Sequence, residues 1–136
     1  MWRAAERYRA YEDAGQKVYV IHLGDHDPSG LDMTRDINDR IELFLGDAQI
    51  NRIALNYDQV EQYGPPPNPA KVTDSRAVAY MAKHGKVSWE LDALRPEVIQ
   101  DLIEQQVMQL RDNVLWDESV ALEESGRDWL RETIGQ

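Results

Sequence analysis

Residues 17–30 read KVYVIHLGDHDPSG, and this stretch decides the fold. The β-branched and apolar run VYVIHL predicts a buried strand that is covered on both faces. Gly24 then lets the backbone turn, and Asp25 and Asp27 follow two positions apart. In extended backbone, residues i and i+2 point the same way, so we expect the two carboxylates to converge on one point.

A helix is expected directly after the two aspartates. Ser29 is a favourable N-cap, and Asp32 three residues later completes a Ser-x-x-Asp capping box. Apolar residues at helical spacing continue this helix from Leu31 to Leu45, where Gly46 is expected to end it. A strand, an acidic turn and a helix in this order indicate the carboxyl end of a strand in an α/β sheet, where such folds place their chemistry.

The rest of the chain predicts more helices and short strands. Residues 2–14 predict a helix that ends at Gly15, and residues 52–56 predict a second strand, joined to the first by a parallel, right-handed βαβ connection. Gly126 is expected to interrupt the C-terminal tail. The predicted downstream helices are 73–84, capped by Thr73, then about 96–116, and weakly the acidic tail 117–136. The predicted domains are therefore an α/β domain over 1–116 and a tail over 117–136.

The composition is that of a soluble globular domain. The chain has 136 residues, of which 42% are hydrophobic and 29% are charged. No apolar run approaches the ~20 residues of a membrane span, and the N-terminus lacks a signal-peptide pattern. Cysteine is absent, which excludes disulfides and thiolate metal sites. We expect a cytoplasmic protein without a membrane partner.

The charge balance argues against a protein that binds nucleic acid through a broad basic face. Fifteen Lys and Arg stand against 25 Asp and Glu, for a net charge of −10. Any DNA contact is therefore expected to be local, metal-bridged or supplied by another segment or subunit; solubility alone is the other explanation of the acidity. The one modest basic concentration either touches phosphates or, as we favour, is a solvated helix face. Its members are Lys71, Arg76, Lys83 and Lys86.

Two acidic pairs are candidates for chemistry. Asp25 and Asp27 at a strand end suit Mg²⁺, which takes oxygen ligands and is typically bound by one or two carboxylates plus substrate phosphates. Asp-x-Asp is also ordinary turn chemistry, and the spacing leaves both explanations open. Glu90 and Asp92 either complete an acidic cluster or, as we favour, face solvent and cap the helix that begins near Pro96.

The motif DHDPSG, preceded by VIHLG, resembles the Asp-x-Asp-x-x-Gly motif of Toprim domains. These are the metal-binding catalytic domains of several topoisomerases, bacterial primases and some nucleases. The resemblance is strongest to the topoisomerase VI A subunit and to Toprim proteins of phages and prophages. Residues 71–94, KVTDSRAVAYMAKHGKVSWELDAL, resemble the C-terminal part of the phage proteins. The resemblance therefore covers about residues 17–116.

The resemblance implies a fold and a metal site. The implied fold is α/β, a partial Toprim-like (Rossmann-like) parallel sheet flanked by helices, with a C-terminal helical extension. Asp25 and Asp27 match the catalytic pair that holds Mg²⁺ (or Mn²⁺), and Gly30 matches the glycine that lets the chain turn into the helix. His26 is an accessory candidate beside the metal, although a side chain at such a turn more often faces solvent.

The sequence departs from the family pattern upstream of the aspartates. Toprim domains carry a glutamate on their first strand, as general acid/base or metal ligand, whereas here a single helix precedes the aspartate strand. We therefore expect the chain to be the C-terminal part of a longer protein whose upstream segments complete the site. The domain that supplies a nucleophilic tyrosine in topoisomerase VI relatives is missing as well, so no tyrosine is given that role.

Three functional hypotheses follow. The first is a Toprim-like Mg²⁺-binding module that serves DNA strand cleavage or rejoining, a metal-dependent phosphoryl transfer, within a larger assembly. The second is a non-catalytic, degenerate Toprim scaffold whose long C-terminal helix docks a partner. The third is a dehalogenase-type phosphatase, which Pro28, Ser29 and Gly30 do not match well. Sheet edges left open by missing strands favour a homodimer or pairing with another domain.

Overall fold

The structure is a computed structural model that describes residues 2–45, 49–70 and 76–134. It has mixed α/β architecture with a small parallel sheet flanked by helices, which confirms the predicted class; a Toprim topology stays a prediction. In chain order the elements are α1 Trp2–Asp13, β1 Tyr19–Leu23, α2 Pro28–Leu45, β2 Gln49–Ala54, α3 Tyr57–Tyr63, β3 Asn68–Pro69, α4 Ala77–His84, β4 Val87–Ser88, a 3₁₀ helix Leu91–Ala93, α5 Pro96–Leu110 and α6 Asn113–Ile134.

Two strands form the sheet that positions the acidic turn. β1 and β2 pair in parallel, with Tyr19 opposite Gln49 and His22 opposite Arg52. The parallel pairing across α2 confirms the predicted parallel βαβ connection, and its right-handedness stays a prediction. The pairing extends beyond the strands, because the Gly24 N–H donates to the Ala54 carbonyl at 2.9 Å. The carboxyl ends of both strands therefore lie at the same end of the sheet.

The prediction that β1 is buried on both faces is wrong. Its first residue, Tyr19, is exposed, and the four that follow are half-buried. The cause is the size of the sheet. In the described residues it has only two strands, so β1 has a single strand neighbour and fewer side chains cover it.

The helix after the turn begins three residues earlier than predicted. α2 starts at Pro28, whose fixed φ suits the first helical position. The N-cap is consequently Asp27, whose Oδ1 accepts a 2.6 Å hydrogen bond from the Gly30 N–H. The capping box predicted for Ser29 and Asp32 is therefore wrong.

Glycine residues with positive φ directly follow the end of several helices. Gly15 and Gly85 follow α1 and α4 with φ of 79° and 76°, in agreement with the predicted helix ends, and Gly64 follows α3 with φ of 59°. The stop predicted at Gly46 and the cap predicted at Thr73 lie outside the described residues. The helices predicted for residues 96–136 differ from those observed.

The C-terminal region contains two helices rather than one long helix and a weak tail. α5 ends at Leu110, and Asp112 starts α6 by accepting hydrogen bonds from the Val114 and Leu115 N–H groups at 3.0 and 3.2 Å. α6 then continues through Gly126, so the predicted interruption there is wrong. The structure divides into compact units Met1–Leu102 and Ile103–Gln136, and the domain division at residue 116 stays a prediction.

Apolar packing in the first unit is divided between two clusters. One joins α1 and α2 to the sheet around Ala5 and Ile41. The other lies at the carboxyl end of β2, where Ala54 and Leu55 are fully buried in a cluster that includes Trp89. In the described part of the chain, none of the helices has both the length and the apolarity needed to cross a bilayer.

Candidate metal site at the acidic turn

The acidic turn, residues 25–30, follows β1 directly. Asp25 is exposed, and its Oδ1 accepts a 2.8 Å hydrogen bond from the Leu91 N–H. Asp27 is half-buried, and both of its oxygens accept from the Ser29 hydroxyl at 3.0 Å, in addition to the bond from Gly30. The first carboxylate therefore ties the turn to the 3₁₀ helix, and the second ties it to α2.

Gly30 is needed for space rather than for backbone conformation. It does not have a positive φ. A Cβ built at this position would overlap the Asp25 carbonyl oxygen and come within 3.1 Å of Asp27 Oδ1. The first turn of α2 therefore packs directly onto the backbone of Asp25, and only a residue without a side chain fits there.

The guanidinium of Arg52, on β2, holds the backbone of the turn. Burial lowers the pKa of Arg52, while the carboxylates of Asp25 and Asp27 act in the opposite direction, which puts both near this cation. Arg52 stays charged because its intrinsic pKa is so high. Its acceptors in the described residues, at 2.6–3.2 Å, are the carbonyls of Gly24, Asp25, Gly30 and Leu55 and the Thr34 hydroxyl.

Sequence reasoning missed Arg52, although it left a signal. Arg52 is the only charged residue in the run INRIALN, residues 50–56. A cation in such a strand must find acceptors, because burying an unpaired charge is costly. The carbonyls at the end of a neighbouring parallel strand are a natural place for them.

His26 points away from solvent, so the expectation of a solvent-facing side chain is wrong. It is only 3% exposed, and its Nδ1 lies 3.0 Å from the Tyr80 hydroxyl. That hydroxyl donates its single proton to the His26 carbonyl at 2.8 Å, so we assign the Nδ1 proton to the histidine, as donor to the tyrosine oxygen. Burial raises the pKa of Tyr80 to about 12, which keeps this hydroxyl protonated.

An aromatic cage surrounds His26. The ring centroids of four residues, Tyr57, Tyr80, His84 and Trp89, lie 4.7–5.7 Å from its own. His26 and Trp89 also exchange backbone hydrogen bonds of 2.8 and 3.0 Å as an antiparallel bridge. The cage therefore fixes the segment around Trp89 against the acidic turn. Sequence reasoning missed it because its members are spread over more than 60 residues.

The second acidic pair lies near the turn in space, because the residue between its two members bonds to Asp25, but its side chains face solvent. Glu90 and Asp92 flank Leu91, which bonds to Asp25, and both are exposed, as favoured from the sequence. They lie at the start of the 3₁₀ helix, while Arg95 precedes α5. The prediction that they cap α5 is therefore wrong.

The donor set suits an open magnesium site better than a closed one. No group of three or more His, Asp or Glu that could hold a metal occurs in residues 2–45, 49–70 and 76–134. Mg²⁺ needs no such cage, since it keeps waters and shares its coordination with substrate phosphates. Carboxylates are the ligand type that a partly hydrated Mg²⁺ takes, and metal binding by Asp25 and Asp27 stays a prediction, as does the convergence of their side chains on one point.

Acidification is expected to destabilise the cage. Burial lowers the pKa values of His26 and His84 below 6.5. Because the unfolded chain then binds these protons more readily, stability is complete above pH ~6.5 and declines as the pH falls below it. We expect a lower urea midpoint at pH 5.5 than at pH 7.5.

The variant His26→Phe serves as control for this pH dependence, because it keeps a ring in the cage and removes one titrating group. The difference between the two pH values should shrink in the variant. An unchanged difference would mean that groups other than His26, among them His22 and His84, whose pKa values burial also lowers, cause the acid sensitivity.

Comparison of the chain with known protein families, curated proteins and solved structures found no match. The likeness to Toprim domains therefore rests on the sequence motif alone. Membership of that family stays a prediction, and the function has to be argued from the turn itself.

Proposed function

We propose that the chain is a Toprim-like module that binds Mg²⁺ or Mn²⁺ through Asp25 and Asp27 and serves DNA strand cleavage or rejoining in a larger assembly. The supporting observation is the construction of the acidic turn. Its backbone is held by Arg52 and closely packed against Gly30, so the main chain that carries the two carboxylates is positioned before any ligand arrives. Preorganisation of this kind is what a metal-assisted reaction requires.

Asp25 and Asp27 are proposed to contribute to metal binding in different ways. Asp25 faces solvent, and no described residue donates a hydrogen bond to its Oδ2, so this oxygen is available to a cation. Asp27 is held against the α2 N-terminus, whose positive dipole end favours negative charge nearby. A bound Mg²⁺ would neutralise charge developing on a phosphate.

Further groups are proposed to come from a partner segment. In the described residues the β1–β2 sheet has no third strand, so the outer edge of each strand is open to pairing. A partner that carries a glutamate on such a strand would add it there, whereas a second copy of the chain would cover the edge without supplying that glutamate. The net charge of −10 likewise fits DNA binding that depends on other domains.

Metal binding is tested with two isosteric variants. Asn is as good an N-cap as Asp, so Asp27→Asn preserves the start of α2, and the amide oxygen in Asp25→Asn can still accept from Leu91. In calorimetric titrations with Mg²⁺ or Mn²⁺, we expect wild-type binding to weaken about tenfold or more in each variant, since each removes one anionic ligand.

The matched control is Asp36→Asn, which removes a half-exposed carboxylate on α2 that pairs with Arg40 at 2.8 Å. It should bind the metal like wild type. Equal, negligible binding by wild type and by the Asp25 and Asp27 variants would refute the metal proposal.

A non-catalytic scaffold is the second candidate, and one observation favours it. Leu115, Leu122 and Trp129 recur at seven-residue spacing on α6, and all are more than half exposed. An apolar stripe of this kind is typical of a helix that docks a partner. If metal binding fails while Leu122→Asp abolishes self-association in light scattering, the scaffold function is favoured. The phosphatase hypothesis would require turnover of a small phosphoester that Asp25→Asn abolishes.

A further inference from the structure

A groove begins beside the acidic turn and lies between α2 and α4. Its volume is about 480 Å³. Pro28, the residue after Asp27, lines one end, together with Tyr80, whose hydroxyl bonds to His26. The groove therefore adjoins the residue that follows Asp27, next to the candidate metal site.

The groove is positively charged in a strongly acidic chain. Arg35, Arg76 and Lys83 line it with Asp32, and Arg35 also pairs with Asp39 at 2.7 Å, so three positive charges stand against two negative ones and leave a local surplus of one. The whole chain carries −10. His84 also lines the groove and stays neutral near pH 7, because burial lowers its pKa. An anion approaching this protein would find a favourable local field here.

Asp32 aligns the two arginines. Its Oδ1 accepts from Arg35 at 2.8 and 3.0 Å, and its Oδ2 accepts from Arg76 at 2.9 Å. These hydrogen bonds, from Arg35 first and then from Arg76, hold the pKa of Asp32 below its usual value. Exposed ion pairs add little to folding stability, so the arrangement matters more for orientation than for the fold. Arg35 also donates to Asp39 Oδ2 at 2.7 Å, so a phosphate that binds here has to share these arginines with the two carboxylates, and guanidinium groups suit phosphate oxygens.

We infer that this groove binds the phosphates of a nucleic-acid strand and leads that strand to the acidic turn. The inference rests on the proposed function and names the path of its substrate. Arg35, Arg76 and Lys83 would each face a phosphate, while the apolar carbons of Leu31 and Ala79 would pack against sugars. It also gives two members of the basic concentration seen in the sequence, Arg76 and Lys83, a role as phosphate contacts.

The test measures DNA binding without metal. The probe is a fluorescently labelled single strand of about 20 nucleotides, followed by anisotropy in EDTA at low salt. We expect Arg35→Glu and Lys83→Glu each to weaken binding about tenfold, since each replaces a phosphate contact by a repulsive charge.

The matched controls carry the same charge change outside the groove. Arg40→Glu lies on the same helix as Arg35, and Lys86→Glu lies three residues after Lys83. Both should change the affinity less than about twofold. An equal loss in the groove variants and the controls would mean only a general charge effect and would overturn the groove assignment.

Two further binding experiments distinguish a nucleic-acid path from a small-phosphate site and from the metal site. Binding of inorganic pyrophosphate that Arg35→Glu abolishes, with no binding of the oligonucleotide, would identify a small-phosphate site and overturn the strand path. Asp25→Asn should lose metal binding and keep DNA binding in EDTA, while Arg35→Glu should do the reverse. Failure of the metal titration alone would thus remove the proposed function, and failure of the anisotropy experiment alone would remove the groove.

Discussion

Replacing Gly30 by alanine is expected to destabilise the first compact unit by about 1–3 kcal/mol, the usual cost of forcing an extra carbon into a packed site. The new Cβ would overlap the Asp25 carbonyl oxygen, which is backbone and cannot rotate away. Relief would require a shift of the turn, and that shift would carry Asp25 away from Leu91. Urea unfolding followed by circular dichroism measures the stability, and metal titration measures the damage to the site.

Gly126→Ala is the control for this prediction. Gly126 also lies in a helix, but a Cβ there would meet no heavy atom within 4 Å. Alanine should therefore stabilise α6 by up to ~1 kcal/mol, the ordinary difference in helix propensity. Similar behaviour of the two variants would contradict the close packing that we describe at Gly30.

Replacing Arg52 by methionine is expected to cost about 2–4 kcal/mol, because hydrogen bonds from a charged donor contribute more than neutral ones and several are lost together. The carbonyls of Gly24 and Asp25, each 2.8 Å from the guanidinium, would lose their donor. The acidic turn should loosen even where the helices persist. We expect faster amide hydrogen exchange in residues 24–30 and weaker metal binding.

Two further variants separate the hydrogen bonds of Arg52 from its charge. Arg52→Lys keeps the charge but offers no planar fork, and it should recover only part of the stability. Arg40→Met removes an exposed arginine that pairs with Asp36 on its own helix, and should cost less than about 0.5 kcal/mol. Full rescue by lysine would show that charge, rather than the set of directed hydrogen bonds, is what the turn needs.

Local chemistry made much of the fold predictable from the sequence. The order of strand, acidic turn, helix and parallel strand follows from apolar patterning and from the glycines that end helices, as at Gly15 and Gly85. The start of α2 was misplaced because Ser29 and Asp27 are both good N-caps, and the proline between them decides for the earlier one.

The tertiary partners of the turn were not predictable in the same way. His26 was expected at the surface, since nothing local reveals that Tyr80 and Trp89 close around it. The set of hydrogen bonds that Arg52 donates likewise depends on the register of β1 and β2, which places Arg52 opposite His22. Such contacts join residues far apart in the chain, and a single sequence carries little information about them.

Asp25 and Asp27 are proposed to hold a divalent cation, and paramagnetic broadening by Mn²⁺ tests this proposal most directly. At substoichiometric Mn²⁺, the amide signals of residues 25–30 and of Leu91 should broaden first, with Mg²⁺ reversing the effect. Asp25→Asn should abolish this selectivity. Broadening spread over the acidic residues of α6, and unchanged by Asp25→Asn, would contradict the account.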